Sequence, residues 1–142
     1  MILCDVNVLV HAHRAETTNH ADYRIWMEDM INSGTAFAVS DIVLGGFIGV
    51  VTHPRVFREP SPLADALAFA SQLIAPETCV RVTPGPRHWT LFDRLCREGG
   101  ANGNLVADAF LAALAIENGC EWITTDRGFS RFPGLRWRHP LQ

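Results

Sequence analysis

The sequence predicts an α/β fold in which a largely parallel sheet is covered by helices on both faces. Short apolar runs alternate with helical stretches of about 10–15 residues from the N-terminus onward, as βαβ units require. Cap and turn residues fall between those stretches. No repeat, linker or low-complexity segment interrupts the alternation.

Met1–Cys4 is an apolar run too short for a helix. It ends at Asp5, and Val6–Ala12 starts a helix. His20–Ile31 places Ile25, Trp26, Met30 and Ile31 near helical spacing, and Ser33-Gly34 stops it. Thr35–Val39 reads as a strand, with Ser40 as the N-cap of a helix over Asp41–Val51. His53-Pro54 ends that helix, because the residue before proline is pushed out of the α region. Ser61 as N-cap and Pro62 at the first helical position open Leu63–Ile74. Cys79–Val82 is a strand, Pro86–Arg97 a helix, and Glu98–Asn104 (EGGANGN) a glycine-rich loop. Leu105–Glu117 has alanine at five positions and an Asn118-Gly119 stop. Trp122–Thr124 and Leu135–Arg138 supply the last strands.

A chain of 142 residues, 48% apolar and 19% charged, suits one globular domain over residues 1–142. No apolar run reaches the roughly 20 residues that a bilayer requires. MILCDVNVLV has no basic leader and carries an acid within its apolar stretch, so no signal peptide is expected, and a cytoplasmic location is. The cysteines at 4, 79, 96 and 120 form neither CxxC nor a zinc spacing and sit among apolar neighbours, as small buried thiols do. A net charge of −3 argues against coating nucleic acid by charge alone. From Arg127 onward, however, the chain carries +4 against −7 before it. This reads either as a basic edge beside an acidic site or as a solvated tail. All twelve cations are arginine, which excludes chemistry that needs a lysine.

In open sheets, ligands bind outside the carboxyl ends of the strands. Asp5 and Asp126 both fall there. Asp108 lies within Leu105–Glu117 among Val106, Ala107, Ala109, Phe110 and Leu111. A helix apolar nearly all round is a buried one, so this acid must be paired, protonated or bound to a cation. Each acid alone reads as a cap, a turn or an arginine partner. Together, two strand ends and one helix position can converge on a single crevice. Three converging carboxylates repel, and divalent cations relieve that repulsion. Oxygen ligands suit Mg²⁺ or Mn²⁺ and do not suit zinc.

The stretch NLVADAFLAALAIENGCEWITTDRGFSRFPGLRW (Asn104–Trp137), the opening ILCDVNVLVHA and the middle segment SDIVLGGFIGVVTHPRVF resemble PIN-domain ribonucleases of the VapC toxin type. The resemblance implies a three-layer α/β/α sandwich. It also implies that Asp5, Asp108 and Asp126 bind Mg²⁺ or Mn²⁺ and cleave RNA, leaving 5′-phosphate and 3′-hydroxyl ends. Asn7 and Thr125 would then orient the ligand carboxylates, as would Asn104, four residues before Asp108 on the same helical face. The implied partners are a VapB-like antitoxin lying across the groove, an RNA substrate (tRNA or rRNA) and a second copy of the chain. Apolar residues in His20–Ile31 and Leu63–Ile74 supply those surfaces or belong to the core.

One departure stands out. Many members of the family carry glutamate on the helix after the second strand, and that position is Gly46 here, in Leu44-Gly45-Gly46-Phe47. Asp41 lies about 7.5 Å earlier along the axis, on another face. Either three carboxylates suffice, or Asp41 substitutes from a distance, or the protein is a weak or inactive scaffold that binds RNA or antitoxin.

His11, His13 and His53 open a second enzymatic reading, a metal-independent ribonuclease with two histidines as base and acid. His11 and His13 point to different sides of their helix, and surface or capping roles compete for each. His53-Pro54-Arg55 with Arg58 forms a phosphate-facing loop or a plain helix-terminal turn. Arg127, directly after Asp126, meets RNA backbone or neutralises the acids, and Arg131, Arg136 and Arg138 are weaker candidates of the same kind. The four Trp and eight Phe are mostly core by spacing. Asp5-Val6-Asn7 also resembles the start of haloacid-dehalogenase phosphatases, but the second acid and the downstream lysine are missing. Receiver domains also need a lysine, which excludes them.

Overall fold

A computed structural model describes residues 1–142. The elements in chain order are β1 (Ile2–Cys4), α1 (Val6–His13), α2 (His20–Asn32), β2 (Phe37–Val39), α3 (Asp41–Val51), α4 (Leu63–Ile74), β3 (Cys79–Arg81), α5 (His88–Glu98), α6 (Leu105–Glu117), β4 (Glu121–Ile123) and β5 (Trp137–Arg138). A 3₁₀ turn over Arg127–Arg131 precedes β5. The strands form one sheet in the order β3-β2-β1-β4-β5, and every neighbouring pair is parallel. The architecture is the expected three-layer α/β/α sandwich, and each expected element is present.

Most boundaries lie within one or two residues of those expected, and one cap does not behave as its sequence suggested. Ser40 does cap α3, accepting the Ile42 N–H at 3.2 Å. Ser61 does not cap α4. Pro62 holds the N-cap position, and Ser61 Oγ is bonded instead to His13 Nε2 (3.0 Å) and Arg14 Nη1 (2.9 Å). Those bonds tie the end of α1 to the loop after α3. Gly119 ends α6 at φ +66, a conformation that side chains disfavour.

The core is one cluster built from both faces of β1, β2 and β4 together with the inner faces of the helices. Trp122, Phe37, Phe47 and Leu3 are among its largest fully buried side chains. Burying each stabilises the fold by roughly 1.5–3 kcal/mol. Helix α6 presents Ala109, Ala112, Ala113 and Ala115, all buried, toward the core. Their small size lets it pack closely on α5 and β4. Cys4 and Cys120 are buried, while Cys79 and Cys96 are only half-buried. One tryptophan departs from expectation: Trp89, on α5, is 71% exposed. No helix is long and apolar enough to cross a membrane.

Candidate active site

The chain leaves β1 toward β2 and leaves β4 toward β5, on opposite sides of the sheet. The carboxyl ends of β1 and β4 are therefore a topological switch point, where a crevice opens. Asp5 is the first residue beyond β1. Its N–H donates to Ile123 O at 2.8 Å, so it is still joined to β4. Its Oδ1 accepts the Val6 N–H (2.7 Å) and caps α1. Its Oδ2 accepts from the Thr124 hydroxyl (2.7 Å) and from Asn7 Nδ2 (3.1 Å).

Thr124 is the centre of this network. Fully buried, it also accepts from Asn7 Nδ2 (3.2 Å) and from the Asp126 N–H (3.0 Å). Asn7 Oδ1 in turn accepts the Thr125 N–H (3.1 Å). The ends of β1 and β4 are thus locked to each other by side chains, and Asp5 cannot turn without breaking several bonds. Asp126 Oδ1 accepts the Gly128 N–H (2.7 Å), which leaves its Oδ2 unbonded. A Cβ at position 128 would lie 2.9 Å from Asp126 Oδ1, so any larger residue here would push that carboxylate aside.

Asp108, on the first turn of α6, makes no hydrogen bond or ion pair. The expectation of a fully buried acid is corrected here. Val106 and Ala107 are exposed, and Asp108 is half-exposed, because the first turn of α6 overhangs the crevice instead of entering the core. All three acids line one cleft of about 340 Å³, with Val6, Asn7, Val10, His11, Val50 and Phe129 as its other walls. Burial pushes the Asp5 carboxyl up to about 6, and the charges of Asp108 and Asp126 add to that. Bonds from Thr124 and the Val6 N–H work against it. Burial, followed by the Asp126 charge, also raises Asp108, and Arg131 opposes the rise.

The donor set is all oxygen and no cationic side chain is bonded to any of the three acids, which fits a hard divalent cation. As they stand, no three acid, histidine or cysteine side chains lie close enough together to hold one ion directly. A cation bound through one or two carboxylates, with water completing its shell, is the arrangement Mg²⁺ ordinarily adopts.

The remaining expected residues divide clearly. Asn7 orients Asp5, as expected. Thr125 does not; its neighbour Thr124 holds the carboxylate and Thr125 contributes only its N–H. Asn104 is exposed, makes no side-chain hydrogen bond and orients nothing. Asp41 does not substitute for the missing glutamate. It is exposed, lies outside the cleft and is ion-paired with Arg81 of β3. Gly46 does not itself line the cleft but packs against Val6, which does: a Cβ there would sit 3.1 Å from Val6 Cγ2. His53 Nδ1 accepts the Arg55 N–H (3.0 Å), as a turn-capping histidine does. Arg55, Arg58 and Arg127 are exposed without hydrogen-bond or ion-pair partners for their guanidinium groups. Arg131 bonds the Gly128 and Gly99 carbonyls beside the acids. The side chains of Arg136 and Arg138 point to the opposite end of the sheet, so the basic tail is only half beside the site. His13 is bonded to Ser61 and packed edge-on against Phe47 and Phe69, away from the cleft. His11 lines the cleft, so no histidine pair faces it.

Sequence reasoning missed Thr124 and Gly128. The available signal for Gly128 was Asp-x-Gly, a side-chain-capped turn.

The model of the PIN domain matches residues 2–135. The chain belongs to the PIN-domain family. Among full-length relatives of this PIN domain, ribonuclease VapC43 of Mycobacterium tuberculosis is 50% identical over 99% of the chain and 96% of its own length. Ribonuclease VapC25 of the same organism is 40% identical over 99% of each chain. Among solved structures, VapBC2 from Rickettsia felis, bound to a DNA fragment from its promoter, matches with a TM-score of 0.70 at 19% identity, covering 98% of each chain. At that identity the likeness speaks for the fold alone.

Proposed function

We propose that this PIN domain is the toxin of a VapBC-type pair: an endoribonuclease that uses Mg²⁺ or Mn²⁺ to cut structured RNA such as tRNA or rRNA. The ribonuclease class follows from its full-length relatives, which are VapC ribonucleases. The observation that carries the metal-dependent reading is that three carboxylates face one cleft with no cation bonded to any of them. Asp5, Asp108 and Asp126 would hold the ion, one or two of them directly and the remainder through water. When bound, it lowers the pKa of a water and offsets charge on the phosphodiester. Thr124 and Asn7 fix the orientation of Asp5, and the Gly128 N–H fixes that of Asp126 while leaving Oδ2 free. Arg127, Arg55 and Arg58 supply unpaired positive charge for RNA phosphates, and His53 holds the turn that carries Arg55.

The same unpaired acids suit a VapB-like antitoxin that would insert a cation among them. Exposed Ile25 on α2 and exposed Leu63 and Leu67 on α4 provide apolar surface for that partner or for a second copy. Gly46 favours a second reading, a scaffold that binds RNA without cutting it, since the cleft wall lacks a fourth acid.

The test is incubation of antitoxin-free protein with bacterial tRNA and rRNA in Mg²⁺, Mn²⁺ or EDTA, beside Asp108→Asn, with the cut ends mapped. Cleavage that disappears with EDTA and with the variant, leaving 5′-phosphates, is expected. EDTA-resistant cutting that leaves cyclic phosphates would overturn the metal role. Binding without cutting in any metal would establish the scaffold instead.

A further inference from the structure

The cleft continues past the carboxylates. Asn7 and His11 are four residues apart and share one face of α1, with Val6 and Val10 on the adjacent one. Val50 of α3 faces them across the groove. Beyond Asn7 the cleft is therefore an apolar shelf whose one polar group is His11, six residues from Asp5 and about 9 Å further along the helix axis.

His11 is held unusually. Its ring stacks on Tyr23 at 4.6 Å and 18°. Neither ring nitrogen bonds another side chain; Nδ1 is enclosed without a well-formed partner, a condition it shares only with Trp122 Nε1, and the Thr18 backbone is the one polar group of the fold that acts on the ring. Polar groups in a fold are rarely left so, and each case calls for an explanation. Stacking fixes where the ring sits, and with Nδ1 enclosed only Nε2 is left to meet a ligand in the cleft.

Resting on the ribonuclease reading above, we propose that this shelf seats one base of the RNA beside the scissile phosphodiester. The base lies with its face on Val10 and Val50 and its edge at His11, and His11 thereby helps to choose the cut site. A base has apolar faces and a polar edge, and sequence-specific RNA recognition reads such splayed bases. A phosphate would need cations, and none lines this stretch. Burial lowers the basicity of His11 and favours neutral imidazole, whose open nitrogen donates or accepts according to its tautomer.

Two measurements test the seat. The first photo-crosslinks RNA carrying 4-thiouridine or 6-thioguanosine to the wild-type protein in EDTA and maps the adducts. Adducts on the Val6–His11 stretch or at Val50 are expected, and adducts confined to other segments would overturn the proposal. The second maps cut sites over a mixed RNA pool for His11→Phe, which keeps an aromatic ring on Tyr23 and removes the polar edge. The relative rates among sites should change by about tenfold, the size of one hydrogen bond, while metal-dependent cutting persists. An unchanged ranking of sites, with or without a uniform fall in rate, would sink it. Should wild-type protein cut no RNA in any metal, the ribonuclease reading fails, and the crosslinking arm still decides whether a base occupies the shelf. Adducts that vanish only when an antitoxin peptide is added support a seat shared with that partner.

Discussion

The two ends of the sheet treat charge in opposite ways. At the amino ends of the strands lies the larger hollow, about 530 Å³, lined among others by Met1, Trp26, Glu121, Arg136 and Arg138. Its arginines are tied down: Arg138 Nε donates to Glu121 at 2.6 Å and Arg136 to the Gly119 carbonyl at 3.1 Å. At the carboxyl ends the cleft is smaller, about 340 Å³, yet three acids face it without a bonded cation. On the reading proposed above, size therefore does not mark the site in this molecule. Like charges facing one cleft without a bonded cation do, because the fold loses stability by keeping them and relieving that loss would be simple.

The largest expected effect breaks or upholds that contrast directly. Asp108→Ala should cut metal-dependent RNA cleavage by about 10²–10³-fold and leave the thermal midpoint unchanged or raised, since no bond of Asp108 is lost. If Arg138→Ala lowers cleavage as much, the two ends are not different in kind.

The next effect is on stability. With its pKa raised to about 6, Asp5 holds its proton more tightly in the folded state than in the unfolded one. The stability it contributes is fully present below its ordinary value near 3.8 and is lost as pH rises through about 6, some 3 kcal/mol in all. Asp108 is shifted in the same direction. Urea unfolding of metal-free protein between pH 4 and 8 should show this fall, and Asp5→Asn should flatten it. Added Mg²⁺ should restore stability at high pH. A metal-free stability curve that is level or rising over that range would contradict the unpaired-acid account.

A smaller effect belongs to the turn behind Asp126. Gly128→Ala forces a Cβ against Asp126 Oδ1 and should lower cleavage by roughly tenfold, with the fold intact, because small displacements of a reacting group are costly. Unaltered activity would mean that Asp126 tolerates movement. The smallest effect is at the other end: Glu121→Gln should cost about 1 kcal/mol or less by chemical denaturation and leave cleavage unchanged, as expected for a half-exposed ion pair.

How much of this was legible in the chain depends on the range over which each feature is set. Asp5 and Asp126 were readable because an acid that ends a short apolar run is a local pattern. The helix over Leu105–Glu117 was readable for the same reason, but the half-exposure of Asp108 was not, since it depends on how far α6 overhangs its neighbours. The orienting threonine was placed one residue late. Cys4 pairs with Ile123, and that register sets Thr124 beside Asp5, yet nothing local to either strand states it. Asp41 was misjudged in a similar way, because its partner Arg81 comes from β3, forty residues later.

Local physics in the sequence by itself therefore determined the order of strands and helices, most of the caps, and the strand-end position of two acids. It also carried the motifs that mark the PIN family. Only the tertiary structure decided which charges found partners, which threonine holds Asp5, and that the cleft extends along α1 to His11. Those outcomes rest on strand register and crossover direction, which join residues more than a hundred positions apart and which no periodicity within a segment encodes.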